Sequence, residues 1–278
     1  MTILTFSALV FIGSIVAGLL GALTGLGGGI VVIPMLTLLF GVDIRYAAGA
    51  ALISVIATSS AAASSYVRDG YSNLRIGMFL EVATTVGAVL GALLTGHLRT
   101  TTIAVIFGVV LLVSAALSLR DHAPADPNEP ADPLARRLRL DSDYPTPQGR
   151  VAYHVHGVPP AFGLMFLAGG LSGLLGIGSG AVKVLALDRA MRLPFKVSTT
   201  TSNFMIGVTA AASAGVYLSH GYIDPGLAMP VMLGVLVGAL AGAKVLARAH
   251  SQALRVVFAV AIGAMGVQMI WNGVRGVP

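Results

Sequence analysis

Long apolar runs, separated by short polar loops, take up most of this 278-residue chain. In the first half the runs lie at about 4–24, 29–41, 45–67, 75–97 and 102–119. In the second half they lie at about 158–175, 180–190, 196–218, 226–248 and 253–272. Four runs of each five approach the roughly 20 residues that an α-helix needs to cross a bilayer, whereas the second of each five is too short. The pattern predicts an all-α polytopic membrane protein with about five helical segments in each half.

The two halves carry related residues at a constant spacing of 151 positions. Without a gap, Gly25, Gly27, Gly29 and Tyr71 align with Gly176, Gly178, Gly180 and Tyr222. A match in one register over a whole half indicates an internal duplication. Residues 1–119 and 158–278 are therefore predicted to form two structural repeats.

Composition and charge place these repeats in a membrane. Hydrophobic residues make up 56% of the chain and charged residues 10%, against roughly 25% charged in soluble domains. If the two segments around each glycine cluster cross an even number of times, 13 of the 17 basic residues fall on one side, and only Arg45, Arg99 and Arg275 on the other. If instead the short segment of each pair is re-entrant and the long segment spans the membrane, the basic residues divide equally between the two sides. The positive-inside rule thus predicts both termini outside, a cytoplasmic linker and two inverted repeats, and it explains the basic charge without a nucleic acid partner.

The linker, residues 120–157, is the one clearly polar region and contains six prolines. Its acidic and basic residues nearly balance, and this composition is typical of an exposed chain without a packed core. We predict a flexible cytoplasmic connector, with regulation or partner binding as the alternative. His122, His154 and His156 lack the carboxylate or cysteine neighbours of a metal site, and we predict neither a metal nor a cofactor.

The chain is most unusual at Gly25-Leu26-Gly27-Gly28-Gly29, which returns as Gly176-Ile177-Gly178-Ser179-Gly180. Glycine destabilises a helix interior by about 1 kcal/mol relative to alanine, and helix breaks at matching positions of two halves point to a transporter binding site. With inverted halves the two tips can meet near the middle of the membrane, where the first amides of the short helices favour an anion. The alternative is close helix crossing alone, which we expect for Gly87, Gly91, Gly238 and Gly242.

Polar residues within the apolar segments supply further candidates. Lys183 follows the second cluster by three residues and would either complement an anion or extend its amine to the cytoplasmic surface. Glu81 lies about two turns into the fourth segment, where it would relay protons or pair with a buried donor such as Lys183. Thr201, Ser202 and Asn203 are neutral donors near the start of a helix. We predict that the two glycine clusters, Lys183 and these three residues line the substrate site, with Glu81 in proton coupling.

The first cluster, with Pro34 five residues later, resembles the signature of the sulfite exporter TauE/SafE family of bacterial membrane permeases. The stretch 173–180 and the run Thr201-Ser202-Asn203 are similar to the second-half pattern of that family. The resemblance covers nearly the whole chain except the linker. It implies transport of sulfur-containing anions, such as sulfite or organosulfonates, across a bacterial inner membrane. Because Ser179 and Leu185 replace Gly28 and Pro34 of the first half, an asymmetric site is expected.

These observations predict a secondary transporter of small sulfur-containing anions with alternating access around a site between the two helix breaks. A passive anion channel is the first alternative, and a membrane scaffold acting through the linker is the second. The membrane segments show no serine–histidine–aspartate or paired-carboxylate pattern, so we predict that the protein is not an enzyme. The expected partners are a small anion, protons and the lipid bilayer, and a homodimer is compatible with the sequence.

Overall fold

The computed structural model describes residues 3–24, 28–68, 70–118, 132–146, 149–178, 180–246 and 251–276. The helices of the first half are α1 (Ile3–Thr24), α2 (Gly29–Pro34), α3 (Ile44–Arg68), α4 (Leu74–Thr95) and α5 (Thr100–Ser118). Between the halves lie α6 (Pro133–Arg137), β1 (Ser142–Thr146) and β2 (Gly149–Tyr153). The second half contains α7 (Val158–Leu175), α8 (Gly180–Leu185), α9 (Phe195–Ser219), α10 (Pro225–Leu246) and α11 (Ser251–Arg275). The prediction of an all-α membrane architecture is confirmed, and the hairpin is a small addition within the linker.

Each short helix continues directly into one π-helical segment, Met35–Leu39 after α2 and Ala186–Ala190 after α8. Such segments are rare and concentrate at functional sites. Pro34 ends α2, but Leu185 ends α8, so a proline is not needed for this local geometry. The helices α2, α3 and α4 begin and end 151 positions before α8, α9 and α10. The order and length of these elements therefore follow the sequence duplication.

The outer surface of the helices is apolar, as expected for a protein surrounded by lipid. On α4, Met78, Val82 and Val86 recur every four residues and are 65%, 61% and 51% exposed. The other face of this helix buries Glu81 and Gly87. By length and composition, three of the described helices can cross a membrane: Ile44–Ala63, Leu74–Thr95 and Val158–Leu175. The polar side of α4 therefore points into the protein, where it helps to form the candidate site.

Glycines allow the first helix of each half to cross the fourth helix of the other half closely. A Cβ on Gly87 of α4 would lie 2.2 Å from the Phe166 carbonyl oxygen of α7. A Cβ on Gly238 of α10 would lie 2.0 Å from the Ile15 carbonyl oxygen of α1. The two contacts are equivalent by the 151-residue spacing, and Gly91 approaches α7 in the same way one turn later. Since no side chain fits here, the prediction that these three glycines serve helix packing is confirmed. The surroundings of Gly242 lie outside what the structure describes.

The linker is folded wherever the structure describes it, which corrects the expectation of a flexible connector for residues 132–146 and 149–157. Asp132 caps α6 by accepting a hydrogen bond from the Leu134 amide at 3.0 Å. The hairpin of β1 and β2 follows, and Leu140 and Tyr153 are buried in one apolar cluster with residues of α4 and α9. The linker therefore packs against the membrane helices through a few apolar residues that its polar composition conceals.

Asn73, the residue before α4, joins the linker to the helical bundle. Its Nδ2 donates to the Leu140 carbonyl oxygen at 2.9 Å and to the Tyr153 hydroxyl at 2.8 Å. Its Oδ1 accepts from the Ile76 amide at 3.1 Å and so caps α4. Burial raises the pKa of Tyr153 above its ordinary value. One asparagine thus fixes both the start of α4 and the position of the hairpin.

Candidate functional site

The two glycine-rich breaks come together beside α3. A Cβ on Gly29, the first residue of α2, would lie 3.6 Å from the carbonyl oxygen of Gly176, which follows α7. Val55 of α3 lies against both breaks, because its methyl groups would meet a Cβ on Gly29 at 3.0 Å and one on Gly178 at 3.2 Å. The chain thus brings residues that are about 150 positions apart in sequence into one interior region.

The glycines of the two breaks serve different local needs. Gly176 and Gly178 both have φ of +71°, a left-handed conformation that side chains disfavour. Gly28 has a helical backbone, and a Cβ there would lie 2.6 Å from Val235 Cγ1, so close packing explains this glycine. Gly180 is the first residue of α8. The other predicted residues of the clusters, Gly25, Gly27 and Ser179, lie outside the described residues.

Lys183 is fully buried, with 0% of its surface exposed. It lies one turn after the second break, and its Nζ donates to Thr209 Oγ1 at 2.5 Å and to the Met205 carbonyl oxygen at 3.3 Å. The alternative prediction of an amine that extends to the cytoplasmic surface is therefore wrong. Val32 occupies the matching position of α2, so the positive charge at this position belongs to the second half alone.

Glu81 of α4 approaches the same threonine. Thr209 Oγ1 donates to Glu81 Oε1 at 2.6 Å, and the Thr85 hydroxyl donates to the same oxygen at 3.3 Å. Glu81 is 7% exposed, and its Oε2 is buried without a hydrogen-bond partner in the part of the chain that the structure describes. A buried carboxyl oxygen without a partner costs about 1–3 kcal/mol, and such atoms are uncommon in native structures. Lys183, Thr209 and Glu81 therefore form a buried hydrogen-bond chain that joins α8, α9 and α4.

The polar run at the start of α9 makes contacts in several directions. Thr201 Oγ1 accepts a hydrogen bond from the backbone amide of the N-cap residue of α4 at 3.0 Å. Ser202 Oγ lies 3.5 Å from the Gly180 carbonyl oxygen, at the start of α8. The carbonyl oxygen of Asn203 accepts a hydrogen bond from the Ser59 hydroxyl of α3. Ser202 therefore lies beside the second break, Asn203 contacts α3, and Thr201 holds the loop before α4.

Thr209 is the main residue of this region that sequence reasoning did not single out. It is the counterpart of Thr58, whose hydroxyl donates to the Ser54 carbonyl oxygen of its own helix at 2.9 Å. Helical threonines commonly bond back in this way, so the local sequence does not distinguish Thr209. The available signal was the presence of two buried charges, Lys183 and Glu81, which need a common polar neighbour.

Comparison with known proteins identifies one family and several relatives. The family model described as sulfite exporter TauE/SafE matches residues 10–269. A Bacillus subtilis protein named probable membrane transporter protein YunE is 26% identical over 279 residues, which cover 98% of this chain and 99% of the relative. A second protein from that organism, probable membrane transporter protein YdhB, is 29% identical over 235 residues, covering 84% and 86%. A probable membrane transporter protein of Xylella fastidiosa is 26% identical over 275 residues, covering 98% and 97%. No solved structure matches the chain.

Proposed function

The chain belongs to the sulfite exporter TauE/SafE family, and from this premise we propose that it is a secondary transporter of small sulfur-containing anions, of the sulfite or organosulfonate class. The relatives are named as membrane transporters, which supports movement of a solute across a bilayer. The observation that carries the proposal is the buried chain Lys183–Thr209–Glu81, which begins one turn after the second helix break. A transporter family with a buried lysine and a buried carboxyl group fits an anionic substrate and a proton as the coupling ion.

The proposed substrate site lies between the breaks. Its lining comprises both glycine clusters, Lys183, Ser202 and Asn203, while Thr201 supports the adjoining loop. Glycines let the backbone amides at the starts of the short helices approach a ligand without a side chain in between. Lys183, which is buried on the second-half side, supplies the positive charge for the anion in this proposal. Because the first half has no lysine at the matching position, the proposed site is asymmetric, as the sequence led us to expect.

Electrostatics links the anion to a proton in this proposal. While Glu81 is ionised, it balances the charge of Lys183 and the buried chain has no net charge. When Glu81 takes up a proton, the ammonium of Lys183 remains, and a bound anion restores neutrality. Thr209 can follow the change, because its hydroxyl lies 2.6 Å from Glu81 Oε1 and 2.9 Å from the Met205 carbonyl oxygen. Anion and proton therefore bind together, as proton-coupled transport requires.

The contacts between the halves support repeats of opposite orientation. The α3 helix and its equivalent in the second half, α9, run antiparallel. A Cβ on Gly49, near the start of α3, would lie 2.2 Å from the carbonyl oxygen of Tyr222, beyond the end of α9. Further along α3, Ser59 instead contacts Asn203, near the start of α9. Antiparallel pairing of equivalent helices is expected if one repeat is turned over relative to the other. In the proposed topology both termini lie outside the bacterial inner membrane, the linker is cytoplasmic, and one repeat rocks against the other.

Counterflow in proteoliposomes tests the proposed function. Purified protein is supplied with sulfite, sulfate, methanesulfonate or acetate, with and without the same anion inside the vesicles. We expect saturable uptake of a sulfur anion, accelerated by the preloaded anion, because a carrier exchanges bound substrate across the membrane. Flux that rises linearly with concentration, without exchange, would favour the passive channel. No flux of any anion by folded protein would contradict the transporter and favour the scaffold.

A further inference from the structure

Three arginines from distant parts of the chain line one recess, apart from the site described above. Arg45 lies in the first turn of α3, Arg99 precedes α5, and Arg275 ends α11. The recess has a volume of about 720 Å³, within the roughly 300–1,000 Å³ that is usual for small-molecule sites. Its other lining residues are Asp43, Thr100, Thr101, Gly273, Val274 and Gly276. These are the three arginines that the charge count places outside, so the recess opens to that side in the proposed topology.

The lining is rich in positive charge and hydrogen-bond donors. Asp43 is the one acidic lining residue, and its Oδ1 already accepts the backbone amide of Arg45 at 2.8 Å. The long helices α3 and α5 both begin here, at Ile44 and Thr100, and the free amides of a helix start carry partial positive charge. The hydroxyls of Thr100 and Thr101 are further donors. Such a surface attracts anions.

Arg45 is held in place and keeps one donor unused. Its Nη2 donates to the Leu98 carbonyl oxygen at 2.6 Å, and its guanidinium carbon lies 5.6 Å from the centroid of the Tyr222 ring. Its Nε is buried and has no hydrogen-bond partner in the described ranges. The bond to Leu98 and the contact with the Tyr222 ring fix the guanidinium of Arg45 at the wall of the recess.

A smaller cavity of about 30 Å³ adjoins the recess. It shares Asp43, Thr100 and Thr101 with the recess and reaches Thr37 and Met269. Thr37 belongs to the π-helical segment that continues α2, and its hydroxyl lies 3.5 Å from Met269 Sδ. The recess thus borders the far end of the helical segment that starts at the first glycine break.

We propose that the recess is an anion vestibule, which binds a small free oxyanion of the sulfate, sulfite or sulfonate type before it moves toward the breaks. Arginine suits this ligand, because its planar fork of N–H groups contacts two oxygens of one oxyanion at once. The role in transport rests on the proposed function, whereas the binding of the oxyanion does not. The phosphate of a lipid headgroup has related chemistry, and the experiment separates it from the free ion.

Trp271 provides a direct measurement of binding. It is the only tryptophan of the chain, and the guanidinium carbon of Arg275 lies 4.0 Å from the centroid of its ring. Tryptophan fluorescence is recorded in lipid-free neutral detergent while sulfate replaces chloride at constant ionic strength. Native protein should give a saturable change, and Arg99→Gln should bind sulfate about tenfold more weakly, since a charge-assisted contact is lost. Arg136→Gln, at an exposed linker arginine, is the matched control and should bind as the native protein does.

The vestibule would be overturned by the absence of a saturable change in native protein, or by equal sulfate binding in native protein and Arg99→Gln. A response to vesicles of anionic lipid, without one to free sulfate, would also overturn it in favour of a headgroup site. Sulfate binding by a native protein that transports nothing would support the vestibule and refute the transporter. Transport without a fluorescence response would refute the vestibule and support the transporter. If both proposals hold, Arg99→Gln should raise KM for entry from the arginine side about tenfold, with kcat unchanged.

Discussion

Replacing Glu81 by glutamine removes one charge from the buried hydrogen-bond chain and preserves its shape. The amide oxygen of glutamine can accept the Thr209 hydroxyl, as Glu81 Oε1 does at 2.6 Å. Lys183 then carries the remaining charge of the three linked side chains. Native protein reaches this state only when Glu81 takes up a proton. We therefore expect Glu81→Gln to bind the anion without a proton.

The size of the effect follows from the distance between the two charges. Hydrogen bonds of 2.5 and 2.6 Å through Thr209 Oγ1 place Lys183 Nζ within about 5 Å of Glu81 Oε1. At an effective dielectric constant of about 20, unit charges at this distance attract each other by ~3 kcal/mol. In native protein, an anion that takes the place of the Glu81 carboxylate beside Lys183 must make up for the loss of this attraction. In Glu81→Gln the attraction is already absent, so anion binding carries no such cost. At a pH where native Glu81 is ionised, Glu81→Gln should bind the anion up to about a hundredfold more tightly.

The assay is anion uptake into proteoliposomes, with and without an imposed pH gradient. Native uptake should increase when the proton gradient and the anion gradient point the same way. Glu81→Gln should take up the anion at the same rate under both conditions, while Glu81→Asp, which keeps the charge, should retain the response. If the pH gradient stimulates Glu81→Gln as strongly as the native protein, the coupling role of Glu81 is refuted.

Three further substitutions test separate parts of the structure. Thr209→Val keeps the shape but removes the bridging hydroxyl, and should slow proton-driven uptake at least about tenfold, whereas Thr209→Ser should restore it. Gly173→Ala would place a Cβ 1.9 Å from the Ala88 carbonyl oxygen and should lower the free energy of unfolding by about 1–3 kcal/mol, measured by thermal unfolding in detergent. Gly163→Ala, with open space around its Cβ, is the matched control and should not destabilise the protein. Tyr153→Phe removes a hydrogen bond to the linker hairpin worth about 1 kcal/mol, and should speed amide hydrogen exchange there without changing helix content.

The helical segments were predictable because their physical signals are local. Apolar length marks the long helices, and glycine marks the places where α2 and α8 begin, at residues 29 and 180. The duplication adds a check, since a break seen in one half is expected in the other. The folding of the linker was not predictable from its composition. Its docking depends on a few residues, such as Leu140 and Tyr153, that become buried only when α4 and α9 lie beside the hairpin.

The candidate site was predictable in its charges but not in its connections. Lys183 and Glu81 stand out because charged residues are rare in apolar segments. Thr209 does not, because its partners come from two helices that are distant in sequence. The recess of Arg45, Arg99 and Arg275 was not predictable for the same reason. In the sequence each arginine looks like an isolated loop charge, and only the structure shows that the ends of α3, α5 and α11 lie together. Properties that depend on tertiary proximity need the structure.

Binding of the transported anion by Lys183 can be measured in the background of Glu81→Gln. The double variant Lys183→Met/Glu81→Gln leaves no unpaired charge in the buried chain, so loss of function would not result from a stranded carboxylate. The measurement is the transport current of proteoliposomes after a rapid rise in sulfite concentration. We expect a saturable current for Glu81→Gln and an apparent sulfite affinity at least about a hundredfold weaker for the folded double variant. A saturable current with unchanged apparent affinity in the double variant would show that Lys183 does not bind the anion.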